Sequence, residues 1–149
     1  MKGIGAFVLV LLVALGVVMY VVTRPPDRVL DAQGEAWVDE FESWRTAKER
    51  TVDRAIVGLT FTSQEKNARG LEPLRTCTAS LRRIGTPPEL LAPVEDAALD
   101  ACGQAEHAVA LNDRFDTASL ASIRLHLNEA GDRLQLAARN LRAALDDAV

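Results

Sequence analysis

Apolar residues follow two regimes along this chain. From Gly3 to Thr23 they run without a single charge, GIGAFVLVLLVALGVVMYVVT, and from Asp27 onward they recur every three or four positions among charged residues. The first regime predicts a membrane-spanning helix. Its 21 residues, at about 1.5 Å each, reach about 31 Å, the thickness of a bilayer's hydrocarbon core. Lys2 closes the run on one side, and Arg24 with the helix-stopping pair Pro25-Pro26 closes it on the other. A cleaved secretory signal is the competing reading, because Ala14-Leu15-Gly16 places small residues where signal peptidase needs them. Cleavage there would leave the greasy stretch Val17 to Val22 as an exposed terminus, and the run outlasts an ordinary signal core. A permanent anchor is therefore expected, with Tyr20 at the membrane interface and lipid bilayer contact through residues 3–23. No Cys follows the run to accept a lipid.

The second regime predicts an all-α head, an antiparallel bundle of about four helices over residues 32–149, joined to the anchor (1–24) by a linker (25–31). In the first helix, Ala32 to Leu59, the residues Trp37, Phe41, Trp44, Val52, Ala55 and Leu59 share one stripe. Thr62 and Glu65 form a capping box for a second helix, which Gly70 and Pro73 interrupt. Its inward stripe is Leu71, Leu74, Cys77 or Thr78, Leu81 and Ile84. Gly85 ends it in a left-handed conformation. Thr86 and Glu89 read as a second capping box with Pro87 at the first helical position, and a third helix starts properly at Pro93 and reaches Asn112. The fourth, Thr117 to Ala148, is the most regular. Leu120, Leu127, Leu134 and Leu141 repeat every seven residues, with Ile123, Ala130, Ala137 and Ala144 between them. Three other amphipathic helices need a partner, so this seam reads as an intramolecular core rather than a homodimer zipper.

Charge narrows the partners. Setting aside Lys2 and Arg24 leaves 15 basic and 21 acidic residues from Asp27 onward, a net of −6. That balance argues against nucleic acid and against adhesion to an anionic lipid surface. Two basic groups lie near each end of the apolar run, so the positive-inside rule is close to a tie. The short N-terminal tail and the two cysteines place the head outside the cytoplasm.

Cys77 lies seven residues before Ile84, and Cys102 nine residues after Pro93. Both are therefore about 10–14 Å from the hairpin turn along antiparallel helices, the equal depth that a bridge requires. A disulfide is expected, the alternative being two small buried thiols. Catalytic chemistry finds no foothold. Neither His107 nor His126 has a carboxylate in the Glu-x-x-His spacing of bundle metal sites, and both read as ordinary flank residues. Cys-x-x-Cys, phosphate-loop and nucleophile-elbow patterns are absent. No enzyme, no metal and no cofactor are expected.

Two groups of residues mark a possible partner surface. Trp37, Phe41 and Trp44 gather aromatics near the membrane end on a stripe shared with Lys48, although core packing is the commoner use of such a stripe. Leu125 and Leu136 lie opposite the heptad stripe of the fourth helix.

The stretch Cys77-x-x-x-Leu81-x-x-Ile84-x-x-Pro87-Pro88, followed by Ala101-Cys102 and a long Ala/Leu helix, resembles uncharacterised single-pass envelope proteins of high-GC, actinobacterial-type bacteria. The resemblance covers about residues 77–149 and implies the topology and the cysteine pairing, with no activity to carry over. The expected role is a membrane-anchored, non-enzymatic, extracytoplasmic interaction or accessory module with an unidentified protein partner. The alternative is a ligand-sensing or carrier module that holds a small apolar molecule between its helices.

Overall fold

The first helix, α1 (Ala32–Gly58), opens where Asp31 turns its carboxylate back to accept the Gly34 N–H at 2.8 Å. That bond satisfies one of the free donors at the helix start, and Glu35 in the first turn suits the positive end of the dipole. The computed structural model describes residues 30–114 and 119–147. The expected anchor, residues 3–23, and all but the last two residues of the linker lie outside that range. No helix among the described residues is long and apolar enough to cross a membrane.

After α1 the chain reverses through residues 59–63 into α2 (Gln64–Leu71). The cap is Ser63, whose hydroxyl accepts the Lys66 N–H at 3.1 Å, not the expected Thr62. The cause is Asn67, a buried polar residue at 3% exposure. Its amide accepts the Thr60 N–H and donates to the Thr60 carbonyl, both at 2.9 Å. Holding Thr60 in this two-way pairing sets the turn, and Ser63 is then the hydroxyl in reach of the helix start.

Pro73 breaks the second rod as expected, because it has no N–H to continue the helix. The chain passes through a 3₁₀ turn at Glu72–Leu74 and resumes as α3 (Cys77–Arg82). Despite the break, Leu71, Leu74, Cys77 and Leu81 all point inward and are buried. Gly85 does adopt the left-handed conformation, at φ 99°. The Thr86–Glu89 capping box does not form. Residues that precede a proline are held extended, and that applies to both Thr86 and Pro87. The next helical turn begins only at Glu89–Leu91, behind Pro88, with no side-chain cap. α4 (Ala92–Asp113) follows, with Pro93 in its first turn. α5 (Ser119–Asp146) completes the chain.

The four rods run alternately up and down. Trp37 Nε1 donates to the Gly85 carbonyl at 3.1 Å and Trp44 Nε1 to Ser80 Oγ at 2.9 Å, so α1 and the second rod are antiparallel. Asn140 Nδ2 reaches the Pro93 carbonyl at 3.0 Å, and Arg133 meets Asp100 at 3.0 Å, so α4 and α5 are antiparallel as well. Two core clusters stack along the axis. Near the α1 start, Trp37, Phe41, Leu81, Leu91, Val94 and Leu141 pack together. Towards the other end, Val52, Leu71, Leu74, Ile123, Leu127 and Leu134 do so. The heptad stripe of α5 is buried from Leu120 to Leu141. Facing alanines on α4, Ala98, Ala101, Ala105 and Ala108, let the two long helices approach closely.

Candidate functional site

The joint between α3 and α4 is the most densely cross-linked point of the second rod. Cys77 and Cys102 stand at disulfide distance, S–S 2.08 Å with Cα atoms 5.2 Å apart, and both are buried. One helical turn beyond Cys102, Glu106 accepts the Thr78 N–H at 2.8 Å. The carboxylate thus caps the start of the short helix that carries Cys77, and its charge suits that helix end. On the other side, Ser80 Oγ donates to the Cys77 carbonyl at 2.7 Å while it accepts from Trp44. The bridge is held from three elements, α1 through Trp44, α3 and α4.

Trp37, Phe41 and Trp44 pack into the core. Trp37 and Phe41 stack with ring centroids 4.9 Å apart, and Phe41 meets Trp44 at 5.7 Å. Phe41 is fully buried, Trp37 nearly so and Trp44 half-buried. The two indole N–H groups find acceptors on the second rod, which is how such rings tolerate burial. Lys48, on the same stripe, lays its amine on the Pro73 carbonyl at 3.0 Å. Burial, with a smaller contribution from the nearby Arg83 charge, lowers its pKa.

Leu136 also leaves the surface, since it is half-buried against the Trp37–Phe41 cluster. Leu125 stays out, 55% exposed. Sequence reasoning passed over the two most exposed large apolar side chains among the described residues, Val57 at 87% and Phe61 at 69%. Their signal was present: Val57 falls half a turn from the Val52–Ala55 stripe, and Phe61 follows the helix end. Both sit at the end of α1 remote from residue 30, about 40 Å away by helix rise.

Charged groups nearby are surface pairs. Arg75 grips Asp113 with both terminal guanidinium nitrogens, at 2.9 and 3.1 Å, and Glu72 through Nε at 3.0 Å. Those hydrogen bonds, Asp113's first, raise the Arg75 pKa, and the bond from Arg75 lowers that of Asp113. A shallow groove runs along α1 past Asp39, Glu42, Thr46 and Arg50, lined by that helix alone. Among the described residues no three His, Cys, Asp or Glu side chains are placed to hold a metal ion. His107 on α4 and His126 on α5 lie at the flank as expected, and their rings are in contact. No protein family, curated protein or solved structure matches the chain.

Proposed function

We propose that the chain is a membrane-anchored, extracytoplasmic, non-enzymatic helical bundle that acts as an interaction or accessory module. The observation that carries this reading is the exposure of Val57 and Phe61 at the end of the head farthest from residue 30. A bundle that buries Trp37, Phe41 and the heptad leucines of α5 leaves these two in water, at the position best presented to a protein partner. The acidic residues Asp31, Glu35, Asp39, Glu40 and Glu42 crowd the opposite end. They disfavour contact between that end and an anionic lipid surface. The buried cysteine bridge supports an oxidising compartment for the head. The carrier reading draws less support, because Ala101, Ala105, Ala108 and Val109 pack directly against Ile123, Leu127, Ala130 and Leu134, where an apolar guest would have to sit.

The test places a photo-crosslinking residue at position 61 of the full chain in its own membrane. A discrete crosslinked protein is expected, and Val57→Asp should abolish it with the thermal midpoint unchanged. Loss of the fold in Val57→Asp would contradict the exposed position. Failure to crosslink any protein from position 61 would remove the interaction surface. Acid-quenched cells alkylated under denaturing conditions check the setting: free Cys77 and Cys102 thiols would overturn the extracytoplasmic placement.

A further inference from the structure

His107 and His126 are the chain's only histidines, and the antiparallel pairing of α4 with α5 brings them together. Their ring centroids lie 4.4 Å apart with planes inclined at 64°. His126 Nδ1 donates to Gln104 Oε1 at 2.7 Å. That bond fixes the neutral ring as the Nδ1–H tautomer and leaves its lone pair on Nε2. Metal-binding histidines are held in this way, with the second ring nitrogen donating to a carbonyl or carboxylate oxygen.

With a metal–nitrogen bond of about 2.0–2.1 Å, an imidazole centroid lies about 3.2 Å from the ion it binds, so two imidazoles on one ion have centroids no more than about 6.4 Å apart. The observed 4.4 Å lies within that reach. Imidazole nitrogen suits Cu(II) and Ni(II), and affinity peaks at Cu(II). The Glu129 carboxylate, 3.8 Å from His126 Nδ1, adds negative charge behind the ring. His107 is exposed and His126 half-buried, so the pair is open to an ion from solvent.

We propose that His107 and His126 form a two-imidazole site, bridging α4 and α5, for a divalent transition-metal ion of the Cu(II) or Ni(II) class. Gln104 is its positioning residue, and water fills the remaining coordination positions. The experiment titrates the detergent-solubilised full chain with Cu(II), followed by electron paramagnetic resonance, and with Ni(II), followed by calorimetry. One equivalent should bind, with hyperfine structure from two nitrogens. His107→Ala or His126→Ala should reduce the coupled nitrogens to one and weaken binding at least tenfold. Gln104→Ala should keep both nitrogens yet weaken binding about tenfold, the loss typical of removing a ligand's hydrogen-bond partner. His107 is exposed and His126 half-buried outside the core clusters, so thermal melts of the variants should stay close to the parent and exclude unfolding as the cause. Binding by the double histidine variant equal to the parent's would overturn the proposal. So would a Cu(II) spectrum without two equivalent nitrogens.

Discussion

Removing the Cys77–Cys102 bridge gives the most direct measure of what holds the head together. The two residues are separated by 25 positions. Closing a loop of that length restricts the unfolded chain by about 3.5 kcal/mol in the chain-entropy estimate. A domain of this size has only about 5–15 kcal/mol of net stability, so the loss should lower the thermal midpoint by roughly 15 °C. Two versions of the perturbation separate its parts. Reduction of the parent protein removes the cross-link and leaves both sulfurs in place. Cys77→Ala with Cys102→Ala also removes buried sulfur, which adds about 1 kcal/mol of lost packing. Urea unfolding of the full chain in mild detergent, followed by circular dichroism, reads both. The dependence on urea should steepen in the reduced protein, because an unfolded chain without the cross-link exposes more surface. Glu106 still caps α3 through Thr78, so the reduced head should remain folded in water. Identical midpoints for oxidised and reduced protein would refute the reasoning.

Leu127→Ala and Leu134→Ala should each cost about 2–5 kcal/mol, because both side chains are buried in mid-stripe of α5. Leu125→Ala should stay within about 0.5 kcal/mol of the parent, and equal losses at positions 125 and 134 in urea melts would mean that both faces of α5 are covered. Asn67→Ala should cost about 1–3 kcal/mol by leaving the Thr60 N–H and carbonyl without their partner, with faster amide exchange at Thr60 as the local signature. Asp113→Asn should lower the melting temperature at neutral pH. The folded pKa of Asp113 is depressed by Arg75, so its contribution is present above the ordinary aspartate value of about 3.9 and is lost as pH falls through the folded value. Parent and variant melts should therefore converge in strong acid, and a gap that persists there would contradict the assignment.

Much of the fold was legible because helix signals are local. The 3.6-residue stripes of α1 and α5 and the break at Pro73 each depend on a few neighbouring residues, and the structure has them where the pattern places them. The caps were less legible because turns answer to partners distant in sequence. Thr62 and Ser63 are equivalent as hydroxyls, and Asn67 decides between them by gripping Thr60. The Thr86 box failed for a reason readable beforehand: two prolines in succession hold the chain extended behind them. At the candidate surface, spacing alone could not separate core from partner-facing aromatics. Trp37 is buried because the second rod offers the Gly85 carbonyl to its indole, which no property of α1 records.

The histidine contact was hidden for a related reason, and its origin shows what the sequence would need to reveal it. Asn140 bonds to Pro93, Arg133 pairs with Asp100, and His126 meets His107. Each step of seven residues forward along α4 is matched by seven backward along α5, so the three contacts are rungs on one side of a heptad seam. Seven residues are two helical turns, and pairs so spaced return to the same side of a packed helix pair. The pattern within α5 alone fixes which face is buried but not how far α5 is shifted along α4. A displacement of one turn, about 5.4 Å, would keep leucines against alanines and change little in apolar burial. It would also part Arg133 from Asp100 and the two imidazoles from each other. The polar rungs therefore discriminate between registers that the core accepts almost equally, and the Cys77–Cys102 bridge fixes α4 against the second rod in the same bundle. The pairing of His107 with His126 is a consequence of that register, which is why two histidines that looked unrelated along the chain occupy one place in the fold.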